Sequence, residues 1–481
     1  MDTRVDDRDR VPQPFLNRAL QRARRVWSEL AFSRSTRRQR IRPDLPPADL
    51  EKLKELMLGC LKEQSVATSA RAEAAKLGYI YLTLSMEGRK RFLMLLTEAF
   101  DLDADRLAAA VEAHLRAPDV ASYALLQDAV RPARMQLLTM LNSLPDGFKF
   151  LVDLRADLIS FLREEPSLAV LDHDLRALFE GWFDVGLLSF EDLDWNSPAA
   201  LLEKLIAYEA VHEIRSWDDL KNRLERDRRC YAFFHPKIPN EPLIFVEVAL
   251  TKGVPARIDD LLDVAAPSID AEDADTAVFY SISNTQRGLR GISFGSFLLK
   301  QVMDRLVSEL PALKTFVTLS PIPGFRRWLL RLAAEGGVDA LLDDERRSKL
   351  AATVAASGAP SLEALLERDD WHLDDAVASG LEEPLVHLCA YYLLHARNGS
   401  DQPLDPVERF HIVNGASIER LNWLADTSPK GLDASLGLMV NYRYEAGSIE
   451  KNYELALGGA VAASPALEKV NRIGRVEAAA G

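Results

Sequence analysis

The sequence predicts an α+β protein, an all-α helical bundle followed by a mixed sheet with helices packed on it. Three observations carry this reading. Apolar residues recur at helical spacing almost throughout from Pro46 to about Tyr208, two runs rich in aromatic and β-branched residues follow, and a strand, glycine-bearing loop, helix, strand and helix succeed one another between Ala277 and Ala334. At 481 residues the chain exceeds one ordinary core and should divide into two or three domains.

In the helical part, Leu53, Leu56, Met57 and Leu61 recur at three- and four-residue spacing, as do Phe92, Leu95, Leu96, Ala99 and Phe100. Asp101 and Asp103 punctuate before a further helix. Pro132, Pro145 with Gly147, and Pro166 mark joints between helices. Residues 46–208 carry no nucleophile, ligand cluster or phosphate loop, so interaction or oligomerisation is the work expected of them. His114 and His173 stand alone and read as structural or solvated. Residues 1–45 form an arginine-rich arm whose composition approaches that of an organelle transit peptide, but Asp2, Asp6, Asp7 and Asp9 spoil the acid-poor signature. A flexible or subunit-contacting arm and cytoplasmic residence are therefore expected. The final VEAAAG is not a peroxisomal address.

Past Ala210, VHEIRSWDDLKNRL reads as a helix, and CYAFFHP and PLIFVEVAL read as strands. The intervening KIPNE has turn chemistry but is longer than a two-residue hairpin. The acidic run Pro267 to Asp275 leads into the strand AVFYSIS, and Leu298, Val302, Leu306, Val307 and Leu310 then mark a helix. Gly288, Gly291 and Gly295 would let the loop between them approach a ligand closely, while first-turn N–H groups favour a phosphate and Arg287 and Arg290 add positive charge. A glycine-rich connector with two solvated arginines explains the same spacing equally well. Helices return from Glu335 to Arg397, and PLVHLCAYYLLHA is apolar enough to be buried, which makes His387 and His395 core or edge histidines. From Asp405 to Tyr444 glycines, asparagines and a histidine sit in an apolar setting to which composition assigns no chemistry.

The net charge of -14 excludes a general nucleic-acid binder, so an anionic ligand would need a local basic pocket. Cys60, Cys230 and Cys389 lie far apart, as expected of reduced thiols outside any disulfide framework. No apolar run reaches the length of a membrane helix.

The segment RGISFGSFLL resembles the pyrophosphate-binding loop of the acetyltransferase superfamily: Arg or Gln, two residues, Gly, one residue, Gly or Ala. Arg290 and Gly295 match its ends, and Ser293 stands where the middle glycine usually sits. Four ordered blocks, FYSISNTQRGLRGISFGSFLLK, TLSPIPGFRRWL, FHIVNGASIERLNWLAD and GLMVNYRY, together resemble the malonyl-CoA decarboxylase family over about residues 210 to 445, and the helical half resembles it more loosely. The resemblance implies an acetyltransferase-like mixed-sheet catalytic domain over residues 209–460 with a helical insertion, followed by a tail over 461–481. It implies malonyl-CoA as substrate, acetyl-CoA and carbon dioxide as products, and a homo-oligomer, dimer or tetramer, with neither nucleic acid nor membrane as partner. Its catalytic residues fall on Ser320, His411 and Tyr444. Its CoA contacts fall on Arg290, Gly291, Ile292, Ser293, Phe294, Gly295 and Ser296.

Decarboxylating a malonyl thioester leaves an enolate whose charge the thioester oxygen takes up, so the expected reaction needs no cofactor, and CoA is part of the substrate. Ser320 is expected to orient the carboxylate or accept a proton, and His411, with an unperturbed pKa near neutrality, to protonate the α-carbon. Without the family blocks, a serine before Pro-x-Pro is usually a turn former and a lone histidine a satisfied structural group. Two other functions use the same features: an acyl-CoA-dependent N-acyltransferase, and a non-catalytic CoA-sensing scaffold built on the helical half.

Overall fold

A computed structural model describes residues 23–31, 41–62, 67–182, 185–292 and 295–469. The first half is helical, as its periodicity requires. Among the described residues helices run over 23–31, where Trp27 of the expected arm is buried in the core, and then over Pro47–Lys62, Ala67–Thr83, Met86–Ala99, Ala104–Arg116, Val120–Ala129, Ala133–Asn142, Gly147–Phe161 and Ala169–Trp182. Their starts follow side-chain chemistry: Ser85, Asp103 and Asp119 each accept a backbone N–H three residues on, and Pro132 occupies an N-cap. Asp103 thus does what its position before an apolar run suggested. Leu53, Met57, Phe92, Leu96, Leu154, Leu158 and Phe179 are fully buried in one core.

The second half is built on one eight-stranded sheet: β1 (Ser189–Leu193), β2 (Arg228–His235), β3 (Ile238–Thr251), β4 (Thr276–Asn284), β5 (Thr315–Thr318), β6 (Ser320–Pro321), β7 (Ser417–Asn422) and β8 (Met439–Tyr444). The order is β1-β2-β3-β4-β5-β8-β6, with β7 paired to β8. Only β4 and β5 run parallel, joined by the helix Gly295–Glu309, and the other pairs are antiparallel. Between β6 and β7 lies a helical insertion that includes Asp344–Ala356 and the long, buried Asp375–His395. The expected architecture, a helical bundle and then a mixed sheet with inserted helices, is the one observed. The two halves share their core, in which Phe148, Phe150 and Val152 belong to the same buried cluster as Phe233, Phe279, Leu289 and Val302.

Three local expectations are corrected. The stretch expected as helical almost to Tyr208 contains the edge strand β1, which pairs with β2 from Ser189↔Phe234 to Leu193↔Cys230. The helix expected over VHEIRSWDDLKNRL is only Trp217–Asn222. Upstream of its Ser216 N-cap, the Glu209 carboxylate takes the N–H groups of Val211 and His212, and Arg223 takes the carbonyls of His212 and Glu213, so those groups are spent on tertiary contacts. The KIPNE connector is in fact a two-residue turn at Pro236 and Lys237, and the surplus residues form a bulge in β3 where the register jumps from Phe234↔Pro242 to His235↔Ile238. Asn240, at φ 62, supplies the left-handed residue this bulge requires.

The remaining isolated side chains behave as expected. His387 is buried, with Nε2 2.9 Å from Leu341 O, His114 Nδ1 lies 3.0 Å from Ser122 Oγ, and His173 is exposed. All three cysteines are buried and lie outside any disulfide. No helix among the described residues is long and apolar enough to cross a membrane.

Candidate active site

Ser320 opens β6, two residues beyond Thr318 at the end of β5, so strand alternation points both side chains to one face. The chain then turns through Pro321, Ile322 and Pro323 into the helix Phe325–Ala334. His411 lies in the last turn of the helix Pro406–Val413. One side chain brings these distant segments together. Asp405 caps the His411 helix by accepting the N–H groups of Val407 and Glu408, and its other carboxylate oxygen accepts the N–H of Gly324 at 3.1 Å. Gly324 must lack a side chain, because a Cβ there would sit 2.2 Å from the Tyr392 hydroxyl.

The result is a buried chain of hydrogen bonds. Tyr444 OH lies 2.7 Å from His411 Nδ1, His411 Nε2 lies 3.2 Å from Ser320 Oγ, and the Ser320 hydroxyl donates to Thr318 Oγ1 at 2.9 Å. Thr318 Oγ1 also accepts the Tyr442 N–H, while the Tyr442 ring stacks on the imidazole at 4.4 Å. Because the serine proton is used on Thr318, Ser320 offers a lone pair to Nε2–H, and Tyr444 donates to Nδ1. This tautomer is assigned from the network.

Burial sets the electrostatics. It pushes the His411 pKa down to about 3 and the phenols of Tyr442 and Tyr444 well up, so the ligand-free site holds a neutral imidazole between neutral phenols. Glu408, one turn before His411, is fully buried, and neither of its carboxylate oxygens has a hydrogen-bond partner. Burial, and then the neighbouring charge of Asp405, pushes its pKa well above the usual range, so it offers the imidazole no counter-charge.

A cleft of about 780 Å³ opens onto this pair, and its walls include Ser320, His411, Phe279, Ser281, Arg290, Gly291 and Ile292. Tyr444 and Thr318 are not on its walls and act through the side chains they touch. Of the expected CoA loop, Arg290 is exposed, Ile292 is buried, and Gly291 adopts φ 82, a left-handed conformation suited to glycine. Ser293 and Phe294 lie outside the described residues. Gly295 starts the helix Gly295–Glu309, with Ser296 in its first turn.

Gly288 corrects one expectation. A Cβ there would lie 1.7 Å from Val152 O, so its close approach is to the helical half rather than to a ligand. Arg155, on the same helix as Val152, is almost fully buried, pairs with Asp172, and donates to the carbonyls of Gly288 and Arg290 at 2.7 and 2.9 Å. Arg176 also reaches the cleft from the helical half. Sequence reasoning missed both arginines, as it missed Thr318, Tyr442 and Asp405. Only the N-cap position of Asp405, directly before Pro406, carried a local signal. Among the described residues, no group of three or more His, Cys, Asp or Glu side chains is placed to hold a metal ion.

Residues 186–479 match the model of the malonyl-CoA decarboxylase C-terminal domain, and residues 100–183 match that of the malonyl-CoA decarboxylase N-terminal domain. The chain is 37% identical over 417 residues to the mitochondrial malonyl-CoA decarboxylase of Anser anser anser, covering 82% of each chain. It is 40% identical over 341 residues to that of Rattus norvegicus, covering 69% of this chain and 68% of the relative. The crystal structure of malonyl-CoA decarboxylase from Rhodopseudomonas palustris superposes with a TM-score of 0.80 at 43% identity, covering 87% of this chain and 99% of that one. The Agrobacterium vitis structure gives 0.79 at 41% identity with the same coverage. Matched over most of its length by family models, relatives and solved structures alike, the chain belongs to the malonyl-CoA decarboxylase family.

Proposed function

We propose that this protein converts malonyl-CoA to acetyl-CoA and carbon dioxide, acting as a carboxy-lyase without a cofactor. The observation that carries the reading is the Ser320–His411 pair, 3.2 Å apart on a cleft that the Arg290–Ile292 loop also lines. The malonyl carboxylate sits against Ser320 Oγ and His411 Nε2, the serine hydroxyl turning from Thr318 to donate to it, and the two hold its C–C bond perpendicular to the thioester plane. Its negative charge supplies what the empty pocket lacks, so the imidazole takes up a proton when the anion binds. As the bond breaks, its electron pair moves into the thioester, carbon dioxide leaves, and the enolate forms. The His411 Nε2 proton then passes to the α-carbon, leaving a neutral ring that carries its proton at Nδ1 toward the Tyr444 oxygen, and proton exchange restores the resting Nε2–H tautomer. The same burial that lowers the resting pKa makes the imidazolium a strong acid toward carbon. Ser320 anchors the carboxylate, and Tyr444 fixes the ring and its tautomer. The register shift between Glu247 and Val248 leaves Tyr280 of β4 without a partner, and backbone N–H groups at this bulge, on a strand lining the cleft, receive the enolate oxygen.

The thioester is its own electron sink, which is why no metal, pyridoxal phosphate or biotin is assigned. The CoA contacts proposed are Arg290, Gly291, Ile292, Ser293, Phe294, Gly295 and Ser296. The domain assignment is an arm over 1–45, a helical domain over 46–208, a catalytic domain over 209–460 and a tail over 461–481. A homo-oligomer is proposed, supported by Leu115 and Val120, 79% and 85% exposed on helical-half surfaces. Cytoplasmic residence is supported by three cysteines outside any disulfide, which suit a reducing compartment. Light scattering and cell fractionation test these last two.

Purified protein incubated with malonyl-CoA alone should release acetyl-CoA and carbon dioxide in equal amounts. Ser320→Ala and His411→Asn should each lower turnover about 10²- to 10⁴-fold while CoA still binds. Product that appears only with an added amine would make the protein an N-acyltransferase. Full function in both variants would make it a scaffold.

A further inference from the structure

The helical half touches the loop beside the cleft through two arginines that differ in kind. Arg155 is almost fully buried and its donors are committed to Asp172 and to two loop carbonyls. Arg176, on the helix Ala169–Trp182, is half-buried, lines the cleft, and has no carboxylate partner among the described residues. Its one hydrogen bond among the described residues is a long one, from Nη2 to Gly291 O at 3.3 Å, which leaves most of its N–H donors uncommitted. The guanidinium rests against Gly291, whose Cβ, if present, would lie 3.7 Å from Cζ. It therefore sits beside Gly291, four residues before the start of the helix Gly295–Glu309, a helix whose positive end favours an anion. In a chain of net charge -14, an unneutralised guanidinium beside Arg290 on one cleft is a local exception. A planar guanidinium is suited to bidentate contact with phosphate oxygens.

We infer that Arg176 binds the diphosphate of the substrate's CoA moiety, so that the helical half completes the ligand site and Arg155 holds the loop against it. This rests on the proposed substrate and assigns that half a part in binding as well as in assembly. The two halves then cannot bind CoA independently, and a displacement of the helical bundle changes affinity for the nucleotide end of the substrate without touching Ser320 or His411.

The test compares wild type, Arg176→Gln and Arg176→Lys with malonyl-CoA and with malonyl-pantetheine, which lacks the diphosphate, alongside calorimetric binding of CoA and of 3′-dephospho-CoA. Arg176→Gln should raise KM for malonyl-CoA and Kd for CoA about tenfold, the loss expected from one charge-assisted contact, with kcat changed less than about twofold. Kinetics with malonyl-pantetheine should match wild type, binding of 3′-dephospho-CoA should weaken as much as that of CoA, and Arg176→Lys should recover part of the affinity. Unchanged Kd for CoA, an equal loss with malonyl-pantetheine, or a loss that disappears with 3′-dephospho-CoA would each overturn the assignment. If wild type leaves malonyl-CoA intact while Arg176→Gln still weakens CoA binding, the reaction is wrong and the phosphate contact stands.

Discussion

Asp405 accepts the backbone N–H of Gly324 at 3.1 Å while capping the helix that carries His411. A single carboxylate therefore fixes both the turn after Ser320 and the start of the helix that ends at the imidazole. Two segments whose reactive atoms lie 91 residues apart in sequence are set in register by it.

Replacing Asp405 by Ala should accordingly do two things at once. Loss of the cap and of the Gly324 contact should lower stability by about 1–3 kcal/mol. Turnover should fall at least about tenfold as the Ser320–His411 distance loosens. Asp405→Asn, which keeps an acceptor, should lose less of both. Chemical denaturation with steady-state kinetics checks this, and a variant as stable and active as wild type would show that the brace lies elsewhere.

Tyr444 acts on the imidazole from outside the cleft. Tyr444→Phe removes one hydrogen bond, about 1 kcal/mol, and should lower kcat about 5- to 10-fold with KM nearly unchanged. Because His411 is neutral in the ligand-free protein down to a pH of about 3, the wild-type profile of kcat/KM should show no histidine inflection near pH 6.5. An inflection there that vanishes in His411→Asn would mean that the ring is solvated in solution.

Gly288 allows the loop to lie on the helical half with almost no clearance. Gly288→Ala must push the loop away from Val152, at a cost of about 1–3 kcal/mol in stability. It should raise KM for malonyl-CoA well above the effect on kcat. A KM equal to wild type would show that loop and helix can separate without consequence for binding.

His212 gives a pH signature unconnected with the reaction. Its side chain is buried near Arg223 and Lys430 with Nε2 unpartnered, and burial, followed by those two positive charges, lowers its pKa to about 3. Its folded pKa is thus below the unfolded value of about 6.5, so the unfolded chain binds the proton more readily and stability falls with pH from about 6.5 toward 3. Between pH 7 and pH 5 wild type should lose about 2 kcal/mol more than His212→Asn. Urea unfolding of both proteins at the two pH values measures the difference, and equal losses would refute it.

The sequence by itself determined what depends on short-range pattern. The helices of the first half, β4, the loop and the helix from Gly295 follow from spacing, propensity and caps that a few neighbouring residues settle, and the family blocks marked Ser320, His411 and Tyr444. Tertiary structure alone decided how those three meet and in what charge state. Desolvation makes the His411 imidazole neutral, and it is a property of everything packed around a residue, of which the string of neighbours is a small part. Thr318 and Tyr442 join the network because β5 and β8 lie side by side, Tyr280 stands out of register because β3 and β4 slip by one residue, and Arg155 and Arg176 reach the loop because the bundle packs against it. Each is a contact between residues remote in the chain, where local pattern carries no signal and only the folded backbone supplies the distance.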